Sequence, residues 1–178
     1  MLVIKLFAQC AALALVTMLA ACAPKTPEPQ EPPPPLPGYE ALEDGGFQIA
    51  AIDPRLMADG YQRTEVIYTG EEKPGTVVVD PFARKLYLVQ EGGMAIRYGI
   101  AVGREGLSFK GAGVIGRMEK WPSWTPTANM VKTRPDLYLE FAGGMSGGLD
   151  NPLGSRALYL YRNGKDSNFR IHGTIDNN

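Results

Sequence analysis

The chain has 178 residues, with 18 Lys and Arg against 19 Asp and Glu, for a formal net charge of −1. That length holds one domain and a tail, but not two sizeable cores. Acids and bases are interspersed and no basic stripe or arginine-rich run occurs, so nucleic acid is not an expected partner.

Residues 1–21 read as a lipoprotein signal peptide. Lys5 gives a positive start, and the apolar run from Leu6 to Ala21 is broken only by Gln9 and Thr17. The run suits a signal-peptide core and is short for a bilayer-spanning helix. It ends in Leu19-Ala20-Ala21-Cys22, which resembles a lipobox whose cysteine is lipidated and becomes the new N-terminus. An uncleaved N-terminal anchor is the alternative. Either places the body in the periplasm or cell envelope, tied to a membrane, and Ala23 after the cysteine points to the outer one. Cys10 then leaves with the signal and Cys22 carries lipid, so no thiol remains for a disulfide, a metal cluster or a nucleophile.

Residues 22–37 form a proline-rich tether, with Pro24, Pro27, Pro29, Pro32 to Pro35 and Pro37. Proline fixes φ and removes donors, which favours an extended polyproline-II rod of about 3.1 Å per residue. Residues 38–74 mix Phe47, Ile49, Ile52, Leu56, Tyr61, Val66 and Ile67 with turn formers, and read as a short ordered lead-in packing on the body.

From residue 75 the periodicity is two. Val77 to Val79 and Leu86 to Val89 are strands joined through Asp80-Pro81, and Glu91-Gly92-Gly93 leads into a longer strand from Met94 to Val102. There Met94, Ile96, Tyr98, Ile100 and Val102 alternate with small or polar residues, predicting that the large side chains form the buried face. Ala157 to Tyr161 and Phe169 to Ile171 flank Asn163-Gly164, a hairpin cue. Long helical periodicity is missing. The fold class is mainly β, a sandwich or barrel-like body.

Few residues offer chemistry. The lone histidine, His172, ends the stretch Phe169-Arg170-Ile171-His172-Gly173-Thr174. With Phe169 and Ile171 on the core face, His172 emerges beside Arg170 at the rim, and Gly173 allows close approach of another backbone. A surface histidine of no consequence is the plainer reading. One histidine and scattered acids do not make a zinc site, and Asp53, Asp59, Asp80 and Asp136 lack the spacing of a calcium loop. Gly103-x-x-Gly106 is not a phosphate-binding loop. Trp121-Pro-Ser-Trp124-Thr-Pro126 sets both tryptophans on a proline-stiffened segment, either as a core plug or as the wall of a substrate groove.

Five segments in order now carry a family likeness: Val77-Val-Val-Asp80 with Lys85-Leu-Tyr-Leu-Val-Gln90; Arg97-Tyr-Gly-Ile-Ala-Val-Gly103; Trp121 to Pro126; Asn151-Pro-Leu-Gly-Ser-Arg-Ala-Leu-Tyr159; and Ile171-His-Gly173. Together they make residues 75–178 resemble the L,D-transpeptidase catalytic domain, often called YkuD-type, with Asn151 to Gly154 before the strand leading to His-Gly weighing most. The resemblance implies an L,D-transpeptidase-like β-sandwich. It implies His172 as general base, with the Gly173 carbonyl orienting the imidazole. It also implies a cysteine nucleophile in a downstream Ser/Thr-x-Gly-Cys-x-Arg motif. An imidazole beside a thiol raises its thiolate share, and the thioester formed is open to an amine or to water. Arg170 and Lys165 would attract an anionic stem peptide, and Trp121 and Trp124 would flank it.

The implied activity is acyl transfer from a peptidoglycan stem tetrapeptide, cut between diaminopimelate and terminal D-alanine, to an amine on another stem or on a lipoprotein. No metal or organic cofactor is implied. After Gly173 the sequence runs Thr174-Ile-Asp-Asn-Asn178 without that cysteine. The expectation is therefore a fold incomplete at the C-terminus, with open strand edges and exposed apolar faces, inactive as it stands. A same-fold peptidoglycan hydrolase and a non-catalytic wall-binding lipoprotein are the alternatives.

Overall fold

The computed structural model describes residues 31, 33–104 and 106–174. The expected signal peptide, the lipidation site Cys22 and most of the tether lie outside the described residues. The compact unit that holds the elements below begins at Pro33.

The fold is mainly β. Strands β1 (Leu42–Asp44) and β2 (Phe47–Ile49) form an antiparallel hairpin. Strands β3 (Thr64–Ile67), β4 (Val77–Asp80), β5 (Lys85–Val89) and β6 (Met94–Gly99) make an antiparallel sheet in the order β3-β6-β5-β4. Strands β7 (Val114–Lys120), β8 (Arg156–Arg162) and β9 (Lys165–His172) make a second, in the order β7-β8-β9. Between β7 and β8 lie two short helices, α1 (Ala128–Thr133) and α2 (Pro135–Tyr138). Thr127 caps α1 by accepting from the Met130 N–H at 3.2 Å, and Pro135 opens α2, where its missing N–H costs nothing.

The β4–β5 connection follows from Asp80, whose carboxylate accepts from the Phe82 and Ala83 amides at 3.0 and 2.9 Å and folds the chain back. The β8–β9 turn is Asn163-Gly164, both at positive φ as a two-residue hairpin turn requires. The lead-in contributes β3, which pairs with β6.

Two readings of the long strand need correction. It ends at Gly99 rather than Val102. Tyr61 lies against Gly99, its carbonyl accepting from the Gly99 N–H at 3.2 Å, while Ile100 donates to Arg84 O at 3.1 Å and leaves the ladder. The most deeply buried residue of β6 is Ala95, not one of its large apolar residues. Ala95 sits between Val66 and Val89 on the neighbouring strands. Met94, Ile96 and Tyr98 stay half-buried.

The apolar core of the described residues is small: Val89, Ala95, Leu153, Ala157 and Tyr159. Beside it, Phe82 is 93 % exposed, Ile67 78 % and Met118 74 %, so apolar surface stands open on both sheets. Among the described residues β7 and β9 each pair only with β8, leaving an edge on either side.

Candidate active site

Strand β9 brings the lone histidine to its end. In an antiparallel pair directly opposite residues share a face, and the register sets His172 against Ala157 and Arg170 against Tyr159. The face that carries His172 and Arg170 is therefore the one on which β8 is most buried, since Ala157 and Tyr159 are among its best-covered residues. The expectation that Phe169 and Ile171 take the core face while His172 emerges beside Arg170 holds only in part, since Arg170 is half-buried on its face and His172 is exposed. Both faces of β9 are covered in part, for Phe169 meets Phe109 edge-on at 4.9 Å between centroids.

On β7 the register continues this face through Arg117 opposite Tyr159 and Glu119 opposite Ala157. The Tyr159 ring lies between two guanidinium groups, Arg117 at 3.5 Å and Arg170 at 4.5 Å from its centroid. Its hydroxyl donates to Glu119 Oε2 at 2.8 Å, and the same oxygen accepts from Arg117 Nη1 at 2.6 Å. Burial, and then the Glu119 carboxylate, push the Tyr159 phenol above its usual range, so it stays a neutral donor. Arg170 also stands 3.6 Å from Asp166. Across from His172 there is only the methyl of Ala157, so the imidazole stands exposed above a small, well-packed floor.

His172 is oriented by its own neighbour. Its Nδ1 lies 2.6 Å from the Gly173 carbonyl oxygen. A carbonyl only accepts, so Nδ1 carries the hydrogen, and in the neutral ring Nε2 has the lone pair. Gly173 is itself fixed, because its N–H donates to Arg156 O at 2.9 Å and extends the ladder one step past β9.

The two tryptophans have separate partners. Trp121, at φ +47, donates its backbone N–H to Ser155 O at 2.9 Å, and its ring lies 4.2 Å from Phe47 of the β1–β2 hairpin. It thus joins the backbone of the segment that runs beside Gly173. Trp124 bridges Met145 through two backbone hydrogen bonds, and its ring meets Tyr138 and Phe141. So Arg170 and His172 share one face and Trp121 reaches the same segment, whereas Trp124 belongs to a different aromatic cluster.

Several contacts of this neighbourhood are not evident from the sequence. Asn151 is buried, donating to Pro122 O at 3.1 Å and Ser146 O at 3.0 Å while accepting from the Leu153 N–H at 2.9 Å. It ties the tryptophan segment to the entry of β8. Asp44 takes both Nη atoms of Arg156, at 2.7 and 2.9 Å. The Asn151-Pro-Leu-Gly154 motif marks the first in sequence without naming its partners, and nothing marks the second. Among the described residues no group of three or more His, Cys, Asp or Glu is placed to hold a metal ion.

Comparison with known proteins adds three findings. Residues 74–178 match the family of the L,D-transpeptidase catalytic domain, YkuD. A protein of Fuscovulum blasticum, described as "Putative L,D-transpeptidase in ATP synthase subunits region ORF 5", is 35% identical over 102 residues, 56% of this chain and 49% of its own. The chain thus spans about half the length of that curated relative. A crystal structure of a protein from Brucella melitensis, described as a probable carnitine operon oxidoreductase, superposes with a TM-score of 0.60 at 46% identity, covering 68% of this chain and 76% of that one.

Proposed function

Because the chain belongs to the L,D-transpeptidase catalytic-domain family, we propose that its domain presents the general base of a cysteine acyl transfer on peptidoglycan stem peptides. One observation carries the reading: the 2.6 Å contact from His172 Nδ1 to the Gly173 carbonyl, which leaves Nε2 as the proton acceptor. The sequence holds cysteine only at Cys10 and Cys22, far upstream of His172. A cysteine thiol placed to give its proton to Nε2 is therefore the further group that the proposed reaction needs.

In the proposed reaction Nε2 takes the thiol proton as sulfur attacks the carbonyl of the bond between diaminopimelate and terminal D-alanine. The thioester forms, the carbon–nitrogen bond breaks, and the imidazolium returns the proton to the departing D-alanine amine. An acceptor amine then attacks the thioester, gives its proton to Nε2, and the thiol is restored. Neither half needs a metal or an organic cofactor. Arg170, two residues before the base and on the same face, supplies positive charge for the carboxylates of the stem peptide. Trp121 and Trp124 are proposed as aromatic walls for that peptide. Lipidation of Cys22 would hold the domain in the periplasm, at the outer membrane, on its proline-rich stretch.

The oxidoreductase activity named for the Brucella protein is not carried over. The spacing Gly103-x-x-Gly106 lacks the dinucleotide fingerprint and leads into a single 3-10 turn, Gly106–Ser108, rather than a helix.

Mass spectrometry after incubation with a carbapenem tests the proposal. The 178-residue protein should take up no acyl group. The same chain extended by a Ser/Thr-x-Gly-Cys-x-Arg segment should take up one and release D-alanine from a stem tetrapeptide. An adduct on the unextended chain would refute the need for that thiol.

A further inference from the structure

The turn before β8 runs backbone against backbone with the residue that holds the imidazole. Asn151 fixes this turn: its N–H donates to Gly148 O at 3.1 Å, its carbonyl accepts from the Gly154 N–H at 2.9 Å, and its buried amide holds Pro122 and Ser146. At its end Gly154 has φ +63, in the left-handed region that favours glycine. A Cβ there would stand 2.8 Å from the Thr174 nitrogen, 2.9 Å from the Gly173 carbonyl carbon and 3.1 Å from the Gly173 Cα. All three are backbone atoms, which cannot swing aside as a flexible side chain does. The carbonyl carbon among them bears the oxygen that accepts from His172 Nδ1. From the other side a Cβ at Gly173 would meet Leu153 O at 3.3 Å, Ser155 N at 3.4 Å and the Gly154 Cα at 3.5 Å, which is close but tolerable.

We propose that Gly154 is a positioning residue for His172, since the absence of its side chain lets the Gly173 carbonyl sit where it orients the imidazole. Any L-residue at 154 must push that carbonyl away from Nδ1 while leaving the β8–β9 ladder to close around its own turn. The inference rests on the reading of His172 as an oriented base.

Because the chain has one histidine, its ring nitrogens give a single set of signals in long-range proton–nitrogen correlation spectra of the full 178-residue protein. The wild-type neutral ring is expected to carry its proton on Nδ1. In Gly154→Ala the tautomer ratio should move about fivefold toward Nε2–H, the equilibrium equivalent of one ordinary hydrogen bond. Gly164→Ala is the control: it has the same left-handed strain, at φ +75 in the β8–β9 turn, but its Cβ meets nothing within 4 Å, so the ratio should stay put. Should Gly154→Ala fail to fold, Gly173→Ala presses on the same contact more gently and should shift the ratio in the same direction by less. A ratio unchanged in both contact variants, or moved equally by Gly164→Ala, overturns the role of Gly154 alone. A wild-type ring protonated on Nε2 overturns the role and the orientation of the base together.

Discussion

Arg156 grips Asp44 across 112 positions of sequence, with both guanidinium Nη atoms on both carboxylate oxygens at 2.7 and 2.9 Å. Through this pair, and through Phe47 on Trp121, the β1–β2 hairpin is fastened to the strand whose Arg156 carbonyl receives the Gly173 N–H. The hairpin thus touches the frame of the candidate base.

The pair makes hairpin docking acid-sensitive. The hydrogen bond from Arg156 holds the Asp44 carboxyl below its ordinary value of 3.8. Its contribution is therefore full above about pH 4 and fades as pH falls through the lower folded value. The Trp121 fluorescence of a Trp124→Phe background should report the hairpin loosening in that acid window. Asp44→Asn should remove the window and leave the hairpin loosely held at neutral pH. An acid transition unchanged in Asp44→Asn would assign it to other carboxylates.

Asn151→Ala should be the most costly single change near the site. It strips hydrogen-bond partners from Pro122 O, Ser146 O and the Leu153 N–H in a buried place. Unpaired buried backbone groups put the loss at about 2–4 kcal/mol, to be read by urea unfolding. A loss under about 0.5 kcal/mol would mean that water replaces the amide without cost.

Tyr159→Phe isolates the hydroxyl bound to Glu119. A loss of about 1 kcal/mol is expected. Since the folded phenol titrates above its ordinary value of 10.0, its contribution is full below that pH and is lost as pH rises through the folded value. The stability difference between wild type and Tyr159→Phe should accordingly be flat at neutral pH and narrow only in strong alkali. Narrowing near neutrality would contradict the assignment.

Arg170→Ala bears on substrate charge. In the cysteine-extended protein it should raise KM for a stem tetrapeptide about fivefold at low salt, with the difference shrinking as ionic strength rises. A salt-independent effect would instead point to lost packing on Tyr159, against which Arg170 lies.

The proposed lipid anchor has its own test. Labelled palmitate should enter the wild-type chain in an envelope-forming bacterium and be absent from Cys22→Ala, with the protein leaving the membrane fraction. Continued labelling of the variant would reject Cys22 as the acceptor.

Strands that state their own period were legible in the sequence. Val77 to Val79, Leu86 to Val89 and the Asn163-Gly164 turn fall where alternation and turn chemistry put them, because those signals are local. The long strand misled past Gly99 because what ends it is Tyr61, a residue remote in sequence that lies against the glycine. Alternation also did not show that Ala95, which lies between Val66 and Val89 on the neighbouring strands, is the best-covered residue of β6. At the site, His172 and Gly173 are adjacent and readable. Gly154, Asn151 and the Asp44–Arg156 pair act through backbone atoms or partners that no spacing rule connects.

The role of the imidazole is best tested in the cysteine-extended protein by comparing carbapenem acylation rates of the wild type and His172→Gln, followed by intact mass. Single acylation of the wild type is expected, with a fall of about 10²–10⁴-fold in the variant, the usual worth of a positioned general base. Equal rates in the two proteins would contradict it.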